Sequence, residues 1–150
     1  MRKNSRPGFT MIELVIVIIT VGILVAVALP TLARSAASHT VEAASSVVAA
    51  DVEAAFALAA RVRKPLVYAC DATARRCRVS DQATGAVRTE RYFDGASGFG
   101  VQALGWTPTG AGPVVLGSSG IATQGFTVTL TQGSSTKRVI VLRSGLIRIN

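Results

Sequence analysis

Hydrophobic and polar positions divide the chain into three rhythms. From Leu14 to Ala33 the sequence LVIVIITVGILVAVALPTLA runs 20 residues without a charge. At about 1.5 Å per helical residue this segment reaches roughly 30 Å, the depth of one hydrocarbon core. Apolar residues then recur at steps of three and four, at Val41, Ala44, Val48, Val52, Ala55, Ala59 and Val62. That spacing predicts a helix continuing through Arg63, with one stripe suited to packing on a sheet. Glu42, Asp51, Glu53 and Arg61 fall on its other face, and Pro65 stops it.

After Pro65 the period changes to two, which reads as antiparallel sheet. Leu66 to Cys70 and Cys77 to Ser80 form a pair, Val87 to Phe93 is another strand, and Val101 to Leu104 and Pro113 to Leu116 are weaker ones. The glycine-rich stretch from Asp94 to Gly125 is expected to be the most mobile part. The clearest strands come last: Phe126 to Thr131, Arg138 to Arg143 and Leu146 to Asn150, joined by turns at Gln132-Gly133-Ser134-Ser135 and Ser144-Gly145. The fold class is therefore α+β, a long N-terminal helix whose second half packs on a small antiparallel sheet head.

Composition adds weight to the first segment. Among 150 residues 49% are hydrophobic and 16% charged, and the mean hydropathy of +0.45 is high for a wholly water-soluble domain. Pro30, inside the apolar run, removes a backbone donor, so a kink or melted stretch is expected near Ala26 to Pro30, with Gly22 a second weak point. Arg2, Lys3 and Arg6 precede the run without an acid, which predicts a cytoplasmic N-terminus and an exported head. An ordinary secretory signal cut near Ala28 or Ala33 fits the same pattern. Glu13 argues against it, because a carboxylate at the head of an apolar run requires a cationic partner or protonation.

Arg6-Pro7-Gly8-Phe9-Thr10-Met11-Ile12-Glu13-Leu14 resembles the processing site of type IV prepilins and type II secretion pseudopilins. The resemblance implies peptidase cleavage between Gly8 and Phe9, N-methylation of Phe9, and pairing of Glu13 with the N-terminal amine of a neighbouring subunit. Gly22 and Pro30 also match family helix positions. The implied organisation is a cleaved leader over 1–8, a transmembrane and assembly helix over 9–33, an amphipathic helix over 34–64 and a sheet head over 65–150. A pilin-like fold is implied with it, as a single-pass inner-membrane protein with a periplasmic head that later enters a pilus or pseudopilus. Its implied partners are other pilins or pseudopilins, the prepilin peptidase and an inner-membrane assembly platform. No cofactor, metal or catalytic residue is expected.

Cys70 and Cys77, the two cysteines, flank Asp71 to Arg76. In an oxidising compartment they are expected to form a disulfide pinning a hairpin; a metal pair or redox centre is the weaker alternative, since neither a nearby His nor CxxC spacing is present. His39 is the single histidine and reads as a solvated helix residue.

The formal charge is +8. Residues 9 to 65 carry four basic and four acidic groups, so after loss of the leader the excess lies in the head. With a two-residue Ser144-Gly145 turn, Leu142 faces Ile147 and Ile140 faces Ile149 on the core side. Lys137, Arg143 and Arg148 would then share an outer face. The late Gly-rich turn, hairpin and terminal strand are similar to the GspH/FimT branch of minor pseudopilins, of which some members bind DNA through a C-terminal Gly-Arg-x-Arg motif. Gly145-Leu146-Ile147-Arg148 departs from it at Leu146. The expectation is thus a structural minor pilin or pseudopilin, not an enzyme, with DNA binding through Lys137, Arg143 and Arg148 as the alternative.

Overall fold

Thr10 starts the long helix: its hydroxyl accepts from the Glu13 backbone N–H at 3.3 Å, and its carbonyl accepts from Leu14 N–H at 3.2 Å, an N-cap that satisfies donors of the first turn. The computed structural model describes residues 9–150, so Gly8 and the leader over 1–8 lie outside the described residues. Helix α1 (Met11–Val62) ends where Arg63 turns left-handed at φ 52° and Pro65 forbids continuation.

No melted stretch occurs at Gly22 or Pro30, because α1 is helical throughout Ala26 to Pro30. A proline deletes a single intrahelical donor, and the surrounding leucines, valines and alanines favour helix on both sides. Thr31 Oγ1 donates to the Ala28 carbonyl at 2.7 Å, giving a second acceptor-side bond in that turn. A side chain at Gly22 would meet open space, so no close contact demands glycine there.

Two compact units divide the chain, Met1–Ser35 and Ala36–Asn150. The first contributes the apolar half of α1. Among the described residues the second holds every buried one, from Val41 to Val141, so the core lies in that unit. Val41, Ala44, Val48, Val52, Ala55 and Ala59 are buried as the spacing requires, joined by Ser45, whose hydroxyl donates to the Glu42 carbonyl. Val62 departs from the stripe and stays 37% exposed, since the helix ends there.

The head has two four-stranded antiparallel sheets where the alternation suggested one. β1 (Leu66–Asp71), β2 (Arg76–Asp81), β3 (Val87–Tyr92) and β5 (Val114–Leu116) form the first, in the order β3-β2-β1-β5. β4 (Ala103–Pro108), β6 (Phe126–Gln132), β7 (Ser135–Val141) and β8 (Ile147–Ile149) form the second, in the order β4-β6-β7-β8. The division arises because β4, within the stretch expected to be mobile, pairs along six residues with β6 and leaves β3 as an edge.

Tyr68, Trp106 and Phe126 tie the sheets together: the Tyr68 and Phe126 rings stack with centroids 5.2 Å apart, and Trp106 leans on Phe126 at 4.9 Å. Cys70 and Cys77 oppose each other on β1 and β2 and are disulfide-bonded. Closing so short a loop contributes about 2 kcal/mol by restricting the unfolded chain.

Candidate functional site

Sixteen large apolar side chains from Phe9 to Leu32 are at least 44% exposed, among them Phe9 at 80% and Met11 at 84%. An apolar surface of this extent marks membrane or partner contact. The helix is long and apolar enough to cross a membrane. Glu13 is the acidic residue of its first turn, exposed, and makes no ion pair among the described residues. Thr10 and Glu13 occupy the N-cap and N3 positions of a capping-box pattern, of which the threonine half is formed. The helix N-terminus favours the Glu13 charge but leaves both carboxylate oxygens available to an external cation.

The basic residues of the head are distributed differently from the sequence expectation. Val141 pairs with Ile147, Ile140 with Arg148 and Val139 with Ile149. The β7–β8 connection therefore has three residues, Arg143-Ser144-Gly145, rather than two. Gly145 N–H donates to the Leu142 carbonyl at 3.0 Å and Leu142 N–H to the Leu146 carbonyl at 2.9 Å, while Gly145 takes φ 80°. This is a tight turn followed by a glycine bulge. The one-residue shift exchanges the two faces of the strands.

Lys137, Arg143 and Arg148 consequently do not share a face. Lys137 lies opposite Leu130, on the side of Val139 and Val141. Arg143 sits in the connecting loop, with Nε 3.5 Å from the Ala122 carbonyl. Arg148 instead joins Arg138 as a diagonal neighbour on the outer face. Thr107, Thr127, Thr129, Arg138 and Ile140 line a shallow depression of about 370 Å³ on that face. Neither Arg138 nor Arg148 has a carboxylate partner among the described residues.

No protein family, curated protein or solved structure matches this chain.

Several other charges of the head are paired with one another. Arg76 bonds Glu90 at 2.8 Å and approaches Asp71 at 3.7 Å. Arg91 grips both oxygens of Asp51, across 40 residues of sequence, its NH2 group 2.9 Å from Oδ1. The helical spacing places Asp51 on the face away from the packing stripe, and no local pattern reveals so distant a partner. His39 is exposed, and no metal-ligating cluster occurs among the described residues.

Asp81 closes the β2–β3 turn: its Oδ1 accepts from Ala83 and Thr84 N–H, and Arg88 lies 3.4 Å from Oδ2. The Thr84 and Ala83 amides, followed by Arg88, hold its carboxyl below the ordinary value against an opposing effect of burial. Amides of Ala74 and Thr73 act likewise on Asp71 in the β1–β2 turn. Both groups are depressed in the folded state, so their stabilisation is complete above about pH 4, the unfolded aspartate value, and is lost as pH falls through the folded values. Urea midpoints of residues 36–150 should therefore decline below about pH 4. Asp81→Asn should flatten that decline; an unchanged profile would show that the turn carboxylate contributes nothing.

Proposed function

We propose that the chain is a minor pilin or pseudopilin, a non-catalytic subunit that stands in the inner membrane with its head outside the cytoplasm and then enters a pilus or pseudopilus. One observation carries this reading: an exposed apolar helix presents, four residues after Phe9, a first-turn carboxylate with no ion pair among the described residues. In a bilayer or filament core such a carboxylate demands a cation, and the new amine of Phe9 on a neighbouring copy supplies one. Cleavage after Gly8 by a prepilin peptidase and methylation of Phe9 would create that amine. Assembly then buries the apolar face against other subunits, on an inner-membrane platform.

Shearing cells and separating appendages from membranes tests the role. A tagged chain should appear in the sheared filament or pseudopilus fraction together with other subunits; its restriction to a freely soluble form would refute it.

A second reading, a DNA-binding minor pilin, gains from the corrected register, which sets Arg138 and Arg148 side by side on a threonine-lined surface. Guanidinium and hydroxyl donors suit phosphate oxygens without selecting sequence. Under this reading Arg138→Glu/Arg148→Glu abolishes salt-sensitive DNA binding by the head, whereas Lys137→Glu, on the opposite face, leaves most of it. Absence of binding by the unaltered head at low salt eliminates the second reading and leaves the first intact.

A further inference from the structure

A partly open cavity of about 240 Å³ lies within the head, between the Asp51 to Leu58 turns of α1 and strands β1 to β3. Ala54, Leu58 and Val79 give it an apolar wall. Tyr68, Asp51 and Arg91 give it a polar end. Tyr68 is 1% exposed, and its hydroxyl has no hydrogen-bond partner among the described residues. Burial, with the nearby Asp51 carboxylate, holds that hydroxyl firmly protonated, so it is a donor awaiting an acceptor.

Unpartnered buried hydroxyls are rare in native cores because nothing replaces the water they lose. Strand β1 cannot supply the acceptor, since its backbone is engaged with β2 and β5. Asp51, bound by Arg91 through both carboxylate oxygens, makes no hydrogen bond to Tyr68. The space is also far larger than one water needs; a dry cavity of about 150 Å³ already accepts benzene.

We propose that this cavity is a binding site for a neutral molecule of phenol size bearing one hydroxyl, with its oxygen accepting from Tyr68 and its body against Ala54, Leu58 and Val79. Neutrality follows from the Asp51–Arg91 pair, whose charges already offset each other; an ionic ligand would bury an uncompensated charge. The hydroxyl requirement follows from Tyr68. Ala54 and Thr89 are the exposed lining residues, so entry is expected between them. This site is independent of the filament role.

Methyl NMR of residues 36–150, titrated with p-cresol and in parallel with toluene, tests it. Saturable shifts are expected at Ala54, Ala55 and Val79, with toluene bound about tenfold more weakly, the worth of one hydrogen bond. Tyr68→Phe should equalise the two ligands while leaving the head folded, and Ala54→Trp should block both by closing the mouth. Shifts that never saturate, equal affinity of the unaltered head for the two probes, or full binding by Ala54→Trp would overturn the proposal. So would protection of these methyls by self-association of the head with no response to p-cresol.

Discussion

Under the proposed role, Glu13→Ala and Glu13→Lys should eliminate incorporation into filaments, while the head should remain folded and disulfide-bonded in the membrane fraction. On the proposed role the expected loss is nearly complete, because the substitution strips from the exposed apolar segment 9–33 its only acid, which would pair with a neighbour's amine. Lysine adds repulsion between like charges in a medium that screens them poorly. Glu13 also sits at N3 of the helix beneath the Thr10 cap, so a capping defect has to be separated from an assembly defect. Thr10→Ala does this: it removes the cap at a cost of about 1 kcal/mol and frays the first turn, yet keeps the carboxylate. Assembly should survive Thr10→Ala and fail in both Glu13 variants. Normal filaments and normal secretion with Glu13→Lys would contradict the pairing outright.

Phe126→Ala is the second large effect, on stability rather than assembly. Phe126 is fully buried, stacks on Tyr68 of β1 and meets Trp106 of β4. Its removal opens a cavity where the two sheets join and should cost about 3–5 kcal/mol, a large share of the stability of a small head. Urea unfolding of residues 36–150 reads this as a lower midpoint, or as a head that fails to fold. Thr129→Ala, on the outer face of the same strand, should change the midpoint little. Equal losses in the two variants would show that β6 is not anchored through its inner face.

The features legible in the sequence are those set by local patterns. Spacing of three and four marked the buried side of α1, alternation located most strands, although β4 runs Ala103–Pro108 rather than Val101–Leu104 and β7 starts at Ser135 rather than Arg138, and two cysteines in facing positions gave the hairpin disulfide. Non-local choices were not legible. Alternation says that β4 is a strand but not that it joins β6, a pairing fixed by how Leu104 and Trp106 fill the core beside Leu130 and Val128. The turn before β8 illustrates the narrowest margin. Ser144-Gly145 fits a two-residue loop, but adding Arg143 lets Gly145 form a bulge at positive φ, and Val139 and Val141 then face inward in place of Ile140 and Leu142. That shift moved Arg148 away from Lys137 and redrew the basic surface. The Asp51–Arg91 pair and the unpartnered Tyr68 hydroxyl arise only when α1 closes over the first sheet.

The most direct measurement is the intact mass of the chain recovered from the membrane of a cell that carries a prepilin peptidase. Residues 9–150 with one added methyl group, assigned to the Phe9 amine by fragmentation, is the expected species. A mass that begins beyond Ala28, or one that still includes Gly8 with peptidase present, would contradict assembly through Glu13 and the Phe9 amine.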